Sequence, residues 1–195
     1  MLLPEPAGDH DRRDAPADER WQFARKVQQF TAPVQAKGVE GTAFYRYNVL
    51  ISANDVGGHP GRPAVSPEEF HASNRQRLLD WPLELLATTT HDTKRGEDAR
   101  ARINVISEMP DHWRKVIVEW TRINGRNRTR VGRAWAPDRN DEYHFYQALV
   151  GAWPAEAVAP IPPRAEQPLV DRVVAYMQKA VREAKVHTSW IHEQP

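Results

Sequence analysis

Cysteine is missing from all 195 residues of this chain. Its absence excludes disulfide bonds, a thiolate nucleophile and any metal site with cysteine ligands. It also fits a protein of the reducing cytoplasm, which is the compartment that we expect for this chain.

Long apolar runs and an excess of one charge are lacking as well. No stretch approaches the roughly 20 apolar residues that a membrane helix needs, and the N-terminus has no apolar core of a signal peptide. The formal net charge is +1, which gives no electrostatic reason to expect nucleic acid or an anionic membrane as a partner. A chain of this length can bury the core of one domain.

Patterns typical of β-strands are scarce. The candidates are residues 34–37 and the run 85–90, which has the length and the β-branched content of a buried strand. Helical periodicity covers most of the rest, most clearly over residues 111–123. The sequence therefore predicts a helix-rich α/β protein, and because two strands do not close a sheet, we expect it to be part of something larger.

Proline, glycine and charge indicate where the elements begin and end. Pro33 is expected to end a helix over residues 20–30. Ser66, Pro67 and Glu69 predict a capping box at the start of another helix. The predicted irregular segments are a flexible lead-in at residues 1–19, a solvated basic loop at 126–133 and a proline-rich linker at 154–168.

The ten residues from His91 to Arg100 are the most informative stretch of the chain. A His-Asp pair directly after a predicted strand is placed as catalytic residues are in barrel and doubly wound enzymes. Asp92 followed by Lys94 suits a ligand rich in hydroxyl groups. Two alternatives remain open: Asp92 caps the next helix, or the cations of this stretch merely pair with Glu97 and Asp98.

The eight histidines do not predict a metal site. None of them lies in a cluster with the spacing of metal ligands, such as H-E-x-x-H. We therefore expect neither a metal nor another cofactor. The basic residues of the loop at 126–133 stand near aspartates and match no nucleic-acid-binding module, so we expect a solvated loop there.

Four blocks of the sequence together resemble one enzyme family, the maltooligosyl trehalose synthases of the α-amylase superfamily. The blocks are KGVEGTAFYRYN (37–48), THDTKRGEDARAR (90–102), DEYHFYQALVGAWP (141–154) and KAVREAKVHTSWI (179–191). The resemblance covers roughly residues 20 to 191, an internal segment of a much longer enzyme. It implies that residues 20–108 are the late part of a catalytic (β/α)8 barrel and that residues 109–195 are the helical region beyond it.

The resemblance also implies a reaction. Members of this family convert the α-1,4 linkage at the reducing end of a maltooligosaccharide into an α,α-1,1 linkage, and their superfamily uses a retaining mechanism with a carboxylate nucleophile and a carboxylic acid. Asp92 would be a third carboxylate that stabilises the transition state. His91 would form a hydrogen bond with a hydroxyl of the same sugar, and a purely structural hydrogen bond of His91 remains an open alternative.

Further substrate-binding positions follow from the resemblance alone. They are Lys94, Lys37, Tyr45, Arg46 and Tyr47. The aromatic residues among them have an open alternative, because rings of this kind pack into cores more often than they stack on sugars. Gly41 departs from the family pattern, in which we expect an aspartate at this position.

No stretch of residues 1–36 resembles the motifs of the nucleophile and the general acid. We therefore expect the chain to be inactive alone and to need the upstream half of the same enzyme as a partner, with a maltooligosaccharide as substrate. The alternatives are a non-catalytic remnant or accessory module that binds α-glucan, and another glycosidase of the α-amylase type.

Overall fold

The computed structural model describes residues 15–62, 64–154 and 163–193. The chain forms two compact units, residues 1–38 and residues 39–195. As predicted, helices dominate. They are α1 (Ala15–Gln35), α2 (Pro67–Asp80), α3 (Glu97–Asn104), α4 (Pro110–Asn124), α5 (Arg139–Ala152) and α6 (Pro163–Ala184), and the two strands are β1 (Thr129–Val131) and β2 (Ala134–Ala136).

The first unit contains α1, which is longer than predicted at both ends. Residues 15–19 are helical where a flexible lead-in was expected, and the rest of that lead-in lies outside the described residues. Pro33 lies inside the helix, and a π-helical turn (Ala36–Glu40) follows directly. The predicted helix end and the predicted strand at 34–37 are therefore wrong. A proline near the C-terminal end removes one backbone donor, which is a loss that the surrounding helix can absorb.

Helix α2 begins as its sequence predicts. The Ser66 hydroxyl accepts a hydrogen bond from the Glu69 amide at 3.1 Å, and the Glu69 carboxylate accepts one from the Ser66 amide at 3.0 Å. Pro67 occupies the first helical position. This reciprocal capping box satisfies two of the backbone donors that a helix N-terminus leaves free.

The segment after α2 departs most from expectation. Residues 85–90 form no strand, and Leu85 is 97% exposed. A strand requires a neighbour that pairs with its backbone groups, and within the described ranges the single sheet is the hairpin of β1 and β2. The prediction of a buried strand at 85–90 is therefore wrong.

The hairpin stands where the sequence predicted a basic loop. Strands β1 and β2 pair antiparallel, with Thr129 opposite Ala136 and Val131 opposite Ala134. Gly132 has a φ of +59° in the two-residue connection, a conformation that only glycine adopts without strain. The backbone therefore differs from the predicted loop. The side chains of both strands are nevertheless exposed, as a solvated loop would have them.

The core of the second unit lies between three helices, α3, α5 and α6, and the turns formed by residues 43–54. Ile103 of α3 is fully buried and packs with Ile51 and Ile106. Gly151 of α5 allows the two helices to meet, because a Cβ atom there would lie 2.8 Å from the Ile103 Cδ1 atom. Short 3-10 turns (Ala43–Tyr45, Ile51–Ala53 and Val105–Glu108) complete this part of the fold.

Helices α4 and α6 flank this core. The predicted amphipathic helix at 111–123 is confirmed as α4, and its Trp113 and Trp120 rings meet edge to face at 5.8 Å. Helix α6 begins at Pro163, so the predicted linker is helical over residues 163–168; its residues 155–162 lie outside the described part of the chain. None of the helices within the described residues is long and apolar enough to cross a membrane.

Candidate functional site

Polar side chains from three of the four sequence blocks meet in the second unit, together with Tyr176 of α6. Arg95, Tyr176, His144 and Asn48 form a continuous chain of hydrogen bonds, which we call the His144 network. Tyr176 lies three residues before the fourth block, on the same helix. The residues of the His144 network come from the loop before α3, from α6, from α5 and from the turn after Tyr45.

The distances within the His144 network are short. The Arg95 guanidinium donates to the Tyr176 hydroxyl at 2.6 Å and to the Ile51 carbonyl at 2.8 Å. The His144 Nε2 atom lies 2.7 Å from the same hydroxyl, and its Nδ1 atom lies 3.0 Å from the Asn48 side-chain oxygen. Each polar group in the network therefore has a partner.

The direction of each proton follows from Arg95, which can only donate. The Tyr176 oxygen accepts from Arg95, so its O–H group donates to His144 Nε2. The Nδ1–H group of His144 then donates to Asn48. Burial, with the positive charge of Arg95 as a second cause, lowers the pKa of His144 from 6.5 to about 3, and burial raises the pKa of Tyr176. The network is thus fixed with a neutral imidazole.

Neighbouring side chains hold the turns at 43–54 against α5. The Gln147 amide accepts from the Ile51 amide at 3.0 Å and donates to the Asn48 carbonyl at 2.8 Å. Asn54 donates to the carbonyls of Phe44 and Tyr47. These bonds replace the regular secondary structure that the turns lack.

The side chains of His91 and Asp92 are exposed on the loop before α3, residues 91–96, which we call the Asp92 loop. The Asp92 side chain is 69% exposed, and its Oδ1 atom lies 3.4 Å from the His91 Nε2 atom. Helix α3 is capped by Gly96, four residues later. Asp92 is therefore not a helix cap, and its carboxylate is open to a ligand.

The base of the Asp92 loop is anchored at several points. The Lys94 amide donates to the Asp55 carboxylate at 3.0 Å, and the other oxygen of Asp55 accepts from Arg100 at 3.2 Å. Arg100 also donates to the Arg95 carbonyl. The alternative in which the cations of this stretch pair with Glu97 is not what the structure has for Arg95, because Glu97 accepts from the Thr88 hydroxyl and Arg95 donates to neutral groups.

The other predicted substrate-binding residues differ in their surroundings. Tyr45 is 6% exposed, packs against Ala180 and Ala184 of α6, and has its pKa raised to about 12 by burial. Arg46 donates to the carbonyls of Ala184 and Lys185 at the end of that helix.

Tyr47 is 46% exposed, so its ring is the accessible one of this block. The Lys94 Nζ atom lies 6.0 Å from the centre of the Tyr45 ring. Lys37 lies in the first unit, whereas the other six predicted site residues lie in the second. All seven roles stay predictions.

A cavity of about 330 Å³ opens beside the Asp92 loop. Lys94 and Arg95 line it together with Tyr176 and Arg172 of α6, and small residues of α3 and α5 form much of the remaining wall. A larger cavity of about 510 Å³ is lined by Phe145, Val174 and Met177, among others, and includes none of the predicted site residues. We associate the candidate site with the smaller cavity because it adjoins Lys94.

Asp138, Asp141 and His187 form the only set of metal-ligand side chains found among the described residues, with ligand atoms within 4.8 Å of one another. The Asp138 carboxylate already accepts from the amides of Asn140 and Asp141 and contacts His187 Nε2 at 2.7 Å. Burial alone would raise the pKa of Asp138, but the hydrogen bonds from His187 and these amides lower it. We interpret the set as the N-terminal cap of α5.

Sequence reasoning missed His144, Tyr176 and Asp55. The signal for His144 was present, since a histidine on the apolar side of an amphipathic helix must find partners when it is buried. Tyr176 and Asp55 had no such signal. Their partners are 81 and 39 residues away along the chain.

No protein-family model matches the chain. A protein of Mycobacterium tuberculosis named as a maltooligosyl trehalose synthase is 41% identical over 169 residues, which are 86% of this chain and 20% of that protein. Among solved structures, a variant of the maltooligosyltrehalose synthase from Arthrobacter ramosus is 40% identical with a TM-score of 0.71, over 88% of this chain and 20% of that one.

A Sulfolobus tokodaii protein described as a hypothetical maltooligosyl trehalose synthase is also 40% identical, with a TM-score of 0.70, over 86% of this chain and 21% of that one. The resemblance that the four blocks predicted is therefore confirmed by sequence and by fold. Over most of its length, this chain is related to a segment of the maltooligosyl trehalose synthases that spans about a fifth of the relatives it matches.

Proposed function

We propose that this chain is the segment of a maltooligosyl trehalose synthase that supplies the transition-state-stabilising carboxylate. In this proposal the whole enzyme rearranges the reducing end of a maltooligosaccharide from an α-1,4 to an α,α-1,1 linkage. The observation that carries it is Asp92, an exposed carboxylate on an anchored loop that caps no helix. The relationship to named synthases supports the same assignment.

Asp92 acts on the sugar whose anomeric carbon reacts. The transition state of glycosyl transfer carries positive charge near that carbon, and a carboxylate that binds the neighbouring hydroxyls stabilises it. His91, which contacts Asp92 at 3.4 Å, binds a hydroxyl of the same sugar. The nucleophile and the general acid come from the part of the enzyme that corresponds to the remaining four-fifths of the relatives.

Lys94 and Tyr47 complete the substrate site. Lys94 lines the 330 Å³ cavity and holds the glucose unit that must be retained between the two halves of the reaction. Tyr47 offers an exposed ring on which a sugar can stack. Tyr45 and Arg46 hold the turn that carries Tyr47 against α6 through their contacts with that helix.

A chimera tests the proposal. The matched segment of the Arthrobacter ramosus synthase is replaced by this chain, and the product is assayed on maltopentaose for loss of reducing ends and for free glucose. We expect loss of reducing ends with little free glucose, and we expect the 195-residue chain alone to be inactive. Asp92→Asn in the chimera should lower kcat by about 10²- to 10³-fold, as loss of one preorganised stabilising group does.

A second chimera, carrying the matched segment of the Mycobacterium tuberculosis relative, controls for the exchange itself. If that chimera is active and the one with this chain is folded but silent, the proposal fails and a non-catalytic α-glucan-binding module is favoured. Release of glucose as the main product would instead favour a hydrolase of the α-amylase type. Full activity of the Asp92→Asn chimera would remove Asp92 from the proposed role.

A further inference from the structure

We infer that His144 and Tyr176 are positioning residues for the Asp92 loop, and that they control how well the released glucose is retained. This inference rests on the proposed function for its chemical consequence. Neither residue reaches Asp92 or Lys94 directly. Both act through Arg95, which belongs to the loop.

The first argument is the way in which Arg95 is held. Its guanidinium binds a carbonyl and a phenol, at 2.8 and 2.6 Å, and within the described residues it pairs with no carboxylate. A hydrogen bond weakens steeply when its donor and acceptor leave their preferred distance and angle. The Tyr176 oxygen therefore supplies one of the two hydrogen bonds that fix the Arg95 guanidinium, and its loss leaves the bond to the Ile51 carbonyl and the contact with the Tyr176 ring, 5.8 Å from the guanidinium carbon.

The second argument is that His144 fixes the Tyr176 hydroxyl. A phenol O–H can rotate between two positions in the ring plane, and His144 Nε2, 2.7 Å from the Tyr176 oxygen, accepts the hydrogen bond in one of them. His144 is 2% exposed and its pKa is lowered to about 3, so it remains an acceptor throughout the neutral pH range. Tyr45 stacks parallel to its ring at 6.2 Å and limits its movement.

The third argument concerns the outer face of the loop. The Asp92 amide bonds to the Thr90 hydroxyl at 3.3 Å, which is a local contact within a turn. The long-range contacts of the loop are those of Lys94 and Arg95 at its base. The orientation of Asp92 and Lys94 toward a sugar therefore depends on this base, and displacements near 1 Å are costly for catalysis.

The chain alone tests the positioning claim without any activity. In Tyr176→Phe, the amides of residues 93–96 should exchange with solvent about tenfold faster than in the wild-type chain, because the Arg95 side chain loses one of its two hydrogen bonds. Nitrogen-15 NMR should find His144 neutral, with the proton on Nδ1. The matched control is Tyr143→Phe on α5, since its hydroxyl contacts Trp113 and the Val49 carbonyl and not the Asp92 loop.

The chimera tests the chemical consequence through a ratio. With maltopentaose, Tyr176→Phe should raise the ratio of free glucose to isomerised product by about threefold or more, because a displaced Lys94 lets glucose leave and water enter. A purely structural defect would lower the fraction of folded enzyme. It would not change this ratio, because both products come from the folded enzyme. His144→Gln keeps a donor and an acceptor and should retain the wild-type ratio, whereas His144→Leu should not.

The outcomes separate the two proposals. An inactive wild-type chimera contradicts the proposed function, while the exchange measurement still decides the role of Tyr176. Unchanged exchange at residues 93–96 in Tyr176→Phe, or a proton found on Nε2 of His144, overturns the positioning role. An active chimera whose product ratio is the same in Tyr176→Phe and in the wild type overturns the control of glucose retention.

Discussion

Two stretches that flank the same loop have opposite environments. On one side, α3 and the His144 network are packed, and Ile103 is completely buried. On the other side, residues 81–90 carry Trp81, Leu83, Leu85 and Leu86, which are all exposed. Residues 81–90 are the more apolar of the two stretches, whereas five of the eight residues of α3 are charged or polar. Hydrophobicity alone therefore does not decide burial. A helix satisfies its own backbone and can pack singly, whereas an extended segment is buried only when a neighbouring strand pairs with it.

The strongest test of this difference in packing removes the same side-chain volume from each region. Ile103→Ala should lower the free energy of unfolding by about 2–5 kcal/mol, because it leaves a cavity between α3 and α5. Leu85→Ala should change it by less than about 0.5 kcal/mol, because its side chain is already in solvent. Urea unfolding followed by circular dichroism measures both. Equal effects would mean that the two regions do not differ in packing.

One ion pair in each region provides a second test, with a smaller expected effect on the free energy of unfolding. Asp55 accepts from Arg100 and from the Lys94 amide in a mostly buried position, so Asp55→Asn should cost about 1–3 kcal/mol of unfolding free energy. Arg77 and Glu84 form an exposed pair at 3.1 Å on the α2 side, and Glu84→Gln should cost less than about 0.5 kcal/mol. A larger cost for Glu84→Gln than for Asp55→Asn would contradict this ranking.

The smallest expected effect is a pH dependence that belongs to the packed region alone. The folded pKa of His144 lies near 3 and its ordinary value is 6.5, so below pH 6.5 the unfolded chain binds a proton that the folded chain does not. The stability that the folded state has from keeping His144 neutral is complete well above pH 6.5 and is lost as the pH falls toward 3. Between about pH 7.5 and about pH 5.5 the loss should be about 1.4 kcal/mol.

His144→Gln provides the control for this pH effect, because glutamine does not titrate in the same range. The difference between the wild type and the variant should fall by the same amount over this pH interval, which cancels the contributions of the other histidines. Parallel pH profiles for the two proteins would show that His144 is not held neutral by the fold.

Much of the local structure could be predicted from the sequence. The capping box at Ser66, the amphipathic helix around Trp113 and Trp120, and the helices that follow the Asp92 loop depend on neighbours within a few residues. The errors occurred where distant partners decide. Residues 85–90 have the composition of a strand but no strand to pair with, and the hairpin at Gly132 arose from a turn signal that its basic residues obscured.

The candidate site was predictable in part for the same reason. The four sequence blocks and the exposed pair His91 and Asp92 were identified from local motifs, and the relationship to the synthases is confirmed. The distinction between Tyr47, whose ring is exposed, and Tyr45, whose ring is buried, required the packing of α6.

The sequence by itself determined the helix-rich class, the capping box at Ser66 and the family relationship, because each depends on short-range patterns. Only the tertiary structure decided which side chains anchor the Asp92 loop. Arg95 and Tyr176 are 81 residues apart, and Asn48 and His144 are 96 apart. Hydrogen bonds over such separations leave no periodic signal, since they form only after hydrophobic packing has brought α3, α5 and α6 together.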